Sequence, residues 1–321
     1  MSDTIKFMLD GVDAEALPNE TLWQATKRLG TTIPHLCWKD APGYRADGNC
    51  RACMVEIEGE RVLAASCIRK PAAGMKVSTT SERARAARGM VMELLVTDQP
   101  PRQEAHDAVS PFWSWAERMG IGLSRFPRDE NPPEDLSHPA MAVQLDACIH
   151  CNLCVRACRE VQVNDVIGMA YRGPHEKVVF DFDDPMGLST CVACGECVQA
   201  CPTGALMPKS IVDEEGQGAR VADRDVHSVC PYCGVGCQIT YKIRNGRIAW
   251  VEGRSGPANE NRLCVKGRFG FDYVDHPERL TRPLIRREGA PKGMNVDPRR
   301  PLTHFREASW HEALDRASQG L

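Results

Sequence analysis

The feature that most constrains this chain is an internal repeat of cysteines. Cys148-Ile-His-Cys151-Asn-Leu-Cys154-Val-Arg-Ala-Cys158 recurs as Cys191-Val-Ala-Cys194-Gly-Glu-Cys197-Val-Gln-Ala-Cys201, with identical spacing. Cysteines two or three residues apart leave little room for independent disulfides. Two further sets, Cys37, Cys50, Cys53 and Cys67, and Cys230, Cys233, Cys237 and Cys264, bring the groups to four and use all 16 cysteines.

Compartment decides what such thiols do. The N-terminal segment Met1 to Lys6 has no basic stretch followed by an apolar run, so no secretory signal is read there. No stretch approaches the roughly 20 apolar residues of a membrane span. Arg286-Arg287 and Arg299-Arg300 lie far downstream of where a twin-arginine signal is read. The sequence therefore predicts a cytoplasmic protein without membrane contact, and in a reducing compartment clustered cysteines bind metal. A net charge of −3 and a pI near 6.3 argue against a nucleic-acid partner.

The repeated run C-x2-C-x2-C-x3-C is that of bacterial ferredoxins, in which three cysteines hold one [4Fe–4S] cubane and the fourth reaches the other. Crossing over assigns Cys148, Cys151, Cys154 and Cys201 to one cubane and Cys158, Cys191, Cys194 and Cys197 to the second. Pro202 follows the second run, whereas Arg159 follows the first. Cys37, Cys50, Cys53 and Cys67 suit a [2Fe–2S] cluster, with Gly48 leaving room for backbone amides to approach it; by ligand type alone, structural zinc fits them too. His35 and His150 stand beside cluster cysteines, where packing or surface roles outweigh donation to sulfur. His106 is expected at the surface.

The pattern between the cysteines predicts an α+β chain in successive domains. Residues 1–80 form a ferredoxin-like β-grasp [2Fe–2S] domain, a small mixed sheet wrapping one helix. Its strands are expected at Ile5–Leu9, Met54–Ile57 and Val62–Ala65, and its helix at Thr21–Leu29, with Leu22, Ala25 and Leu29 on one face. Residues 81–136 comprise a helix capped by Ser81 and an irregular linker, docked through Phe112, Trp113 and Trp115. Residues 137–212 form the two-[4Fe–4S] domain, with strands at Val166–Tyr171 and Lys177–Phe182. Residues 223–282 form a further cysteine-bearing domain containing a hairpin around Asn245-Gly246. The segment 283–321 ends in a helix only just begun, and the chain reads as the N-terminal part of a longer polypeptide.

Two groups carry a family resemblance. The Cys37 set resembles the N-terminal domain of the complex I large subunit, of iron hydrogenases and of NAD-linked formate dehydrogenases. Cys230-Pro-Tyr-Cys233-Gly-Val-Gly-Cys237, with Cys264-Val-Lys266-Gly267, resembles the N-terminal [4Fe–4S] domain of the molybdopterin oxidoreductases. Together they resemble the alpha subunit of a cytoplasmic, NAD-dependent, tungsten- or molybdenum-containing formate dehydrogenase. That resemblance implies one [2Fe–2S] and three [4Fe–4S] clusters and a metal held by two molybdopterin guanine dinucleotides beyond Leu321. It implies Lys266 between cluster and pterin, where it assists electron transfer. It also implies a flavin- and NAD-binding diaphorase partner and the reversible oxidation of formate to CO2.

Two features depart from that family or qualify it. Cysteine is absent from 68 to 147, so the histidine-ligated cluster of many relatives is expected to be missing. Other pterin enzymes share the Cys230 motif. The alternatives are another molybdopterin oxidoreductase, or a non-catalytic electron-transfer subunit resembling the complex I large subunit, which the missing histidine-ligated site disfavours; an iron hydrogenase is disfavoured by the fourth group.

Overall fold

The computed structural model describes residues 4–128, 132–214, 216–293, 296–297 and 299–321. It divides into two compact units, Met1–Gly270 and Phe271–Leu321, and every cysteine lies in the first.

The chain opens with β1 (Ile5–Leu9), which turns back at Asp10 and Gly11, both in the left-handed region, into antiparallel β2 (Val12–Ala16). α1 (Leu22–Arg28) starts in a capping box, in which Thr21 and Gln24 satisfy each other's backbone amides. Leu29, expected on the buried face, is exposed; Trp23 is buried in its place and donates its indole N–H to the Ile33 carbonyl at 3.0 Å. With β3 (Met54–Ile57), β4 (Ala64–Ala65) and β5 (Lys76–Ser78) the sheet runs β2-β1-β5-β3-β4. Only β1 and β5 pair in parallel, which makes the mixed sheet the sequence predicted. β4 is shorter than expected, beginning two residues after Val62.

Ser81 caps α2 (Glu82–Thr97). The following linker is not wholly irregular: α3 (Pro111–Arg118) forms within it. Its start was legible, since Ser110 accepts from the Trp113 amide and Pro111 occupies the first helical turn, where no amide partner is needed. Phe112 and Trp113 are buried as expected, and the Phe112 amide donates to the Pro202 carbonyl at 3.0 Å, beside Cys201.

Next come β6 (Met141–Val143), α4 (Leu153–Arg156), β7 (Ile167–Ala170), β8 (Lys177–Phe180), α5 (Glu196–Ala200) and β9 (Leu206–Pro208). β6 pairs with β9 and β7 with β8, both antiparallel. Each cysteine run leads into a short helix, so the sequence repeat is a structural one. β10 (Arg224–Val229), β11 (Gln238–Arg244) and β12 (Arg247–Gly253) form an antiparallel meander whose last turn is Asn245-Gly246, both at positive φ. α6 (Val265–Phe269) follows Cys264. The second unit pairs β13 (Leu284–Arg286) with β14 (Phe305–Glu307) and ends in α7 (Trp310–Gly320).

His106 corrects an expectation. It is half-buried, its Nε2 2.7 Å from Asp146 and its Nδ1 2.8 Å from the Gly216 carbonyl. Both partners are acceptors, an arrangement that favours the doubly protonated ring. Burial opposes that charge, but the Asp146 carboxylate and Gly216 carbonyl outweigh it and raise the pKa. A raised folded value stabilises the protein fully below the ordinary value of about 6.5 and loses that contribution as pH rises through the folded one. The unfolding midpoint is therefore expected to fall from neutral to mildly alkaline pH, and His106→Gln is expected to flatten that slope. An unchanged slope in the variant would discount the tie.

Candidate iron–sulfur centres

The four thiols of the first group are buried. Cys37 lies beyond α1, Cys50 and Cys53 precede β3, and Cys67 follows β4. The Cys50 and Cys67 thiols donate to Cys37 and, with the Asn49 and Cys50 amides, hold it well below the usual thiol range. Cys53 lies against Cys67 and is lowered by it. Gly48 has φ +67°, and a Cβ there would stand 3.2 Å from Ile68 Cδ1, so the loop needs a residue without one.

Cys148, Cys151, Cys154 and Cys201 line one small, mainly apolar cavity with Ile149, Leu206 and others. The His150 amide donates to Cys148 Sγ at 3.4 Å, and the Thr203 hydroxyl lies 3.6 Å from Cys201 Sγ. Burial pushes the Cys148 thiol up to about 12, and raises Cys151 and Cys154 further. After burial, the strongest charges on Cys154 are those of Cys148, Cys151 and Cys201, so the last cysteine of the second run stands with the first run.

The other half mirrors it. Burial, then the charges of Cys194, Cys191 and Cys158, raises Cys197. The Val166 amide donates to Cys158 Sγ and the Ala193 amide to Cys191 Sγ, each at 3.4 Å, and Asn164 Nδ2 reaches Cys194 Sγ at 3.9 Å. Hydrogen bonds to ligand sulfurs favour negative charge on a cluster. In the fourth group Cys230 is buried and Cys233 and Cys264 are exposed. Burial and then the charges of Cys230, Cys233 and Cys264 raise Cys237. A Cβ on Gly267 would stand 3.6 Å from Cys230 Sγ, while Lys266 is exposed on the same turn.

These donor sets fit clusters. Thiolates are disfavoured by burial unless a cation offsets their charge, and an iron–sulfur core supplies one inside a ring of four sulfurs. Among the described residues, no three or more His, Cys, Asp or Glu side chains form a site for a single metal ion.

Adjacent groups are near neighbours. Arg156 Nη2 donates to the carbonyls of both Cys37 and Cys151, and α4, which carries Cys154, packs against α5, which carries Cys197. Arg268, whose amide bonds the Cys264 carbonyl at 3.0 Å, donates Nε to the Cys194 carbonyl at 3.1 Å. The spatial order is thus the Cys37, Cys148, Cys191 and Cys230 groups. A buried polar hub stands among them. Glu196 accepts from Arg268 at 3.0 Å and from the Tyr44 hydroxyl at 2.8 Å, with Lys39 at 4.0 Å. Burial raises the Tyr44 pKa and lowers that of Lys39. Gly195, at φ +67°, is where Arg268 Cγ would come within 2.8 Å of a Cβ. Sequence reasoning missed this hub, because Glu196 reads as a spacer inside C-x2-C.

His35 packs against Trp23, ring centroids 4.3 Å apart. His150 contributes its backbone amide to Cys148. Among the described residues, no helix is long and apolar enough to cross a membrane.

Comparison with known proteins finds three domain families, in the order of the cysteine groups. Residues 2–82 match the family described as 2Fe-2S iron-sulfur cluster binding domain, 147–205 the 4Fe-4S dicluster domain, and 223–276 the Molybdopterin oxidoreductase Fe4S4 domain. The chain is 33% identical over 322 residues to the NADPH-Fe(3+) oxidoreductase subunit alpha of Geobacter sulfurreducens, covering 99% of this chain and 35% of that protein. It is 33% identical over 339 residues to an NADH-quinone oxidoreductase subunit of Rhizobium meliloti, with the same coverage. A Staphylococcus haemolyticus protein whose name assigns it provisionally to the formate dehydrogenases is 27% identical over 362 residues, covering 98% of this chain and 34% of that protein. The chain therefore spans about 35% of the length of the first two of these relatives. Among solved structures, a chain of an NAD+-reducing [NiFe]-hydrogenase in the H2-reduced state superposes with a TM-score of 0.56 at 27% identity, over 64% of this chain and 87% of that one.

Proposed function

We propose that this chain, which matches [2Fe–2S], dicluster and molybdopterin oxidoreductase Fe4S4 domain families in that order, is the iron–sulfur portion of a molybdopterin oxidoreductase and serves an NAD-linked formate dehydrogenase as its electron wire. The observation that carries this reading is the spatial order of the four thiol groups, each a near neighbour of the next. Clusters held there would supply one-electron relays between a pterin site and a soluble acceptor.

The ligand sets proposed are Cys37, Cys50, Cys53 and Cys67 for a [2Fe–2S] cluster and the three other quartets for [4Fe–4S] clusters. The protein's part is to fix these thiols, to bury all four of the first group and most of the second, and to donate backbone amides to cysteine sulfurs of the two ferredoxin runs. Lys266 is proposed to stand between the Cys230 group and the pterin, its ammonium favouring negative charge there. The metal, tungsten or molybdenum on two pterin dinucleotides, would lie outside residues 1–321. A diaphorase partner is supported by the relatives, one named as an NADPH-linked subunit and another as an NADH-quinone oxidoreductase subunit. Those same names favour a second reading, an electron-transfer subunit working with another substrate.

One experiment separates them. The natural complex is expected to reduce NAD+ with formate. Cys50→Ala, lacking the outermost group, is expected to abolish that activity while sparing formate oxidation by dyes that accept from inner clusters. Unchanged NAD+ reduction in the variant would remove the Cys37 group from the path. A brown, iron-replete complex inert toward formate would leave the wire and overturn the substrate.

A further inference from the structure

Arg156 is an interior cation that the motifs do not explain. It occupies a spacer position between Cys154 and Cys158, where an arginine is ordinarily solvated, yet it is 3% exposed. Its Nη2 donates to the Cys37 carbonyl and, at 3.3 Å, to the Cys151 carbonyl. Its Nη1 donates to the Arg45 carbonyl. Its Nε lies 3.2 Å from Asp47 Oδ2 and 3.4 Å from the Asn152 carbonyl. One guanidinium therefore binds the backbone of a cysteine from each of two successive thiol groups. A planar fork with five donors can do this, and a lysine ammonium cannot span the same acceptors.

We propose that Arg156 is a shared positioning residue at the junction of the Cys37 and Cys148 groups, holding their loops together and making both centres easier to reduce through its buried charge. A fixed cation stabilises the electron that arrives at either centre, and in a water-poor interior that attraction is weakly screened. Asp47 is its counter-charge and opposes it. The two residues therefore set the potentials of adjacent centres together, which keeps the step between them level as both move. The inference rests on both groups holding clusters.

The test is a redox titration of the anaerobically purified complex, following cluster signals by electron paramagnetic resonance, with iron and sulfide content measured alongside. Arg156→Met is expected to shift the midpoints of the [2Fe–2S] signal and of one [4Fe–4S] signal downward together, leaving the others in place. Arg156→Lys, which keeps the charge, is expected to recover most of that shift. Asp47→Asn, a partly exposed and conservative change, is expected to shift the same two midpoints upward, and it answers the question even where Arg156→Met fails to fold. Shifts confined to one signal, shifts of one sign in Arg156→Met and Asp47→Asn, or no shift would overturn the proposal. Wild-type iron too low for these clusters would instead overturn the cluster assignment.

Discussion

Replacing Cys201 by alanine is expected to remove the cluster of the Cys148 group and spare that of the Cys191 group, although Cys201 belongs to the second run. Iron should fall from about 14 to about 10 per chain, the difference being one cubane. The reason is spatial: Cys201 lines the cavity of Cys148, Cys151 and Cys154, while Cys158 charges the surroundings of Cys191, Cys194 and Cys197. Cys201→Ala should therefore lose the same paramagnetic signal as Cys151→Ala, and Cys158→Ala the same signal as Cys194→Ala. If Cys201→Ala instead shared its loss with Cys194→Ala, each run would serve its own cluster and the crossing would be wrong.

Glu196→Ala is expected to have the largest effect on stability of any change that touches no cysteine. Glu196 and Arg268 are both essentially inaccessible to water, so removing the carboxylate leaves a buried guanidinium facing Lys39 without its main counter-charge. Breaking such a pair from one side costs about 3–5 kcal/mol, whereas replacing both partners with apolar residues is far milder. The Tyr44 hydroxyl loses its acceptor as well. Anaerobic denaturant unfolding, followed by loss of cluster absorbance, should show a much earlier midpoint for Glu196→Ala and partial recovery in Glu196→Ala with Arg268→Met. A single-variant loss below about 1 kcal/mol would mean that water reaches the hub and that it contributes little.

Several elements were legible because their signals are local. β1, β3 and α2 fall where alternation, capping and periodicity put them, and the Asn245-Gly246 hairpin closes as its turn residues require. The same local grammar held the start of α3 in Ser110-Pro111, although Pro100-Pro101 and Pro132-Pro133 on either side break regular structure. Leu29 is exposed and Trp23 buried because helix periodicity defines a face to within a residue, while burial of Trp23 depends on Ile33 and Trp38 arriving from the next loop. His106 was misplaced for a related reason. Its partners, Asp146 and the Gly216 carbonyl, are 40 and 110 residues away in sequence, and no pattern near position 106 announces them.

By itself the sequence determined which residues can be ligands and how they divide, because four thiols at fixed short spacings have few chemical uses and the ferredoxin run encodes its own crossing. It also determined the order of the domains. Only the tertiary structure decided which groups are neighbours and what lies between them. Arg156, Glu196 and Arg268 carry no sequence signal, since a charged residue in a spacer is ordinarily solvated, and their burial follows from loops of different domains closing on one another. Charges in that interior act over the distances between thiol groups because little water screens them, so the electrostatics of the wire belong to the fold and not to the motifs.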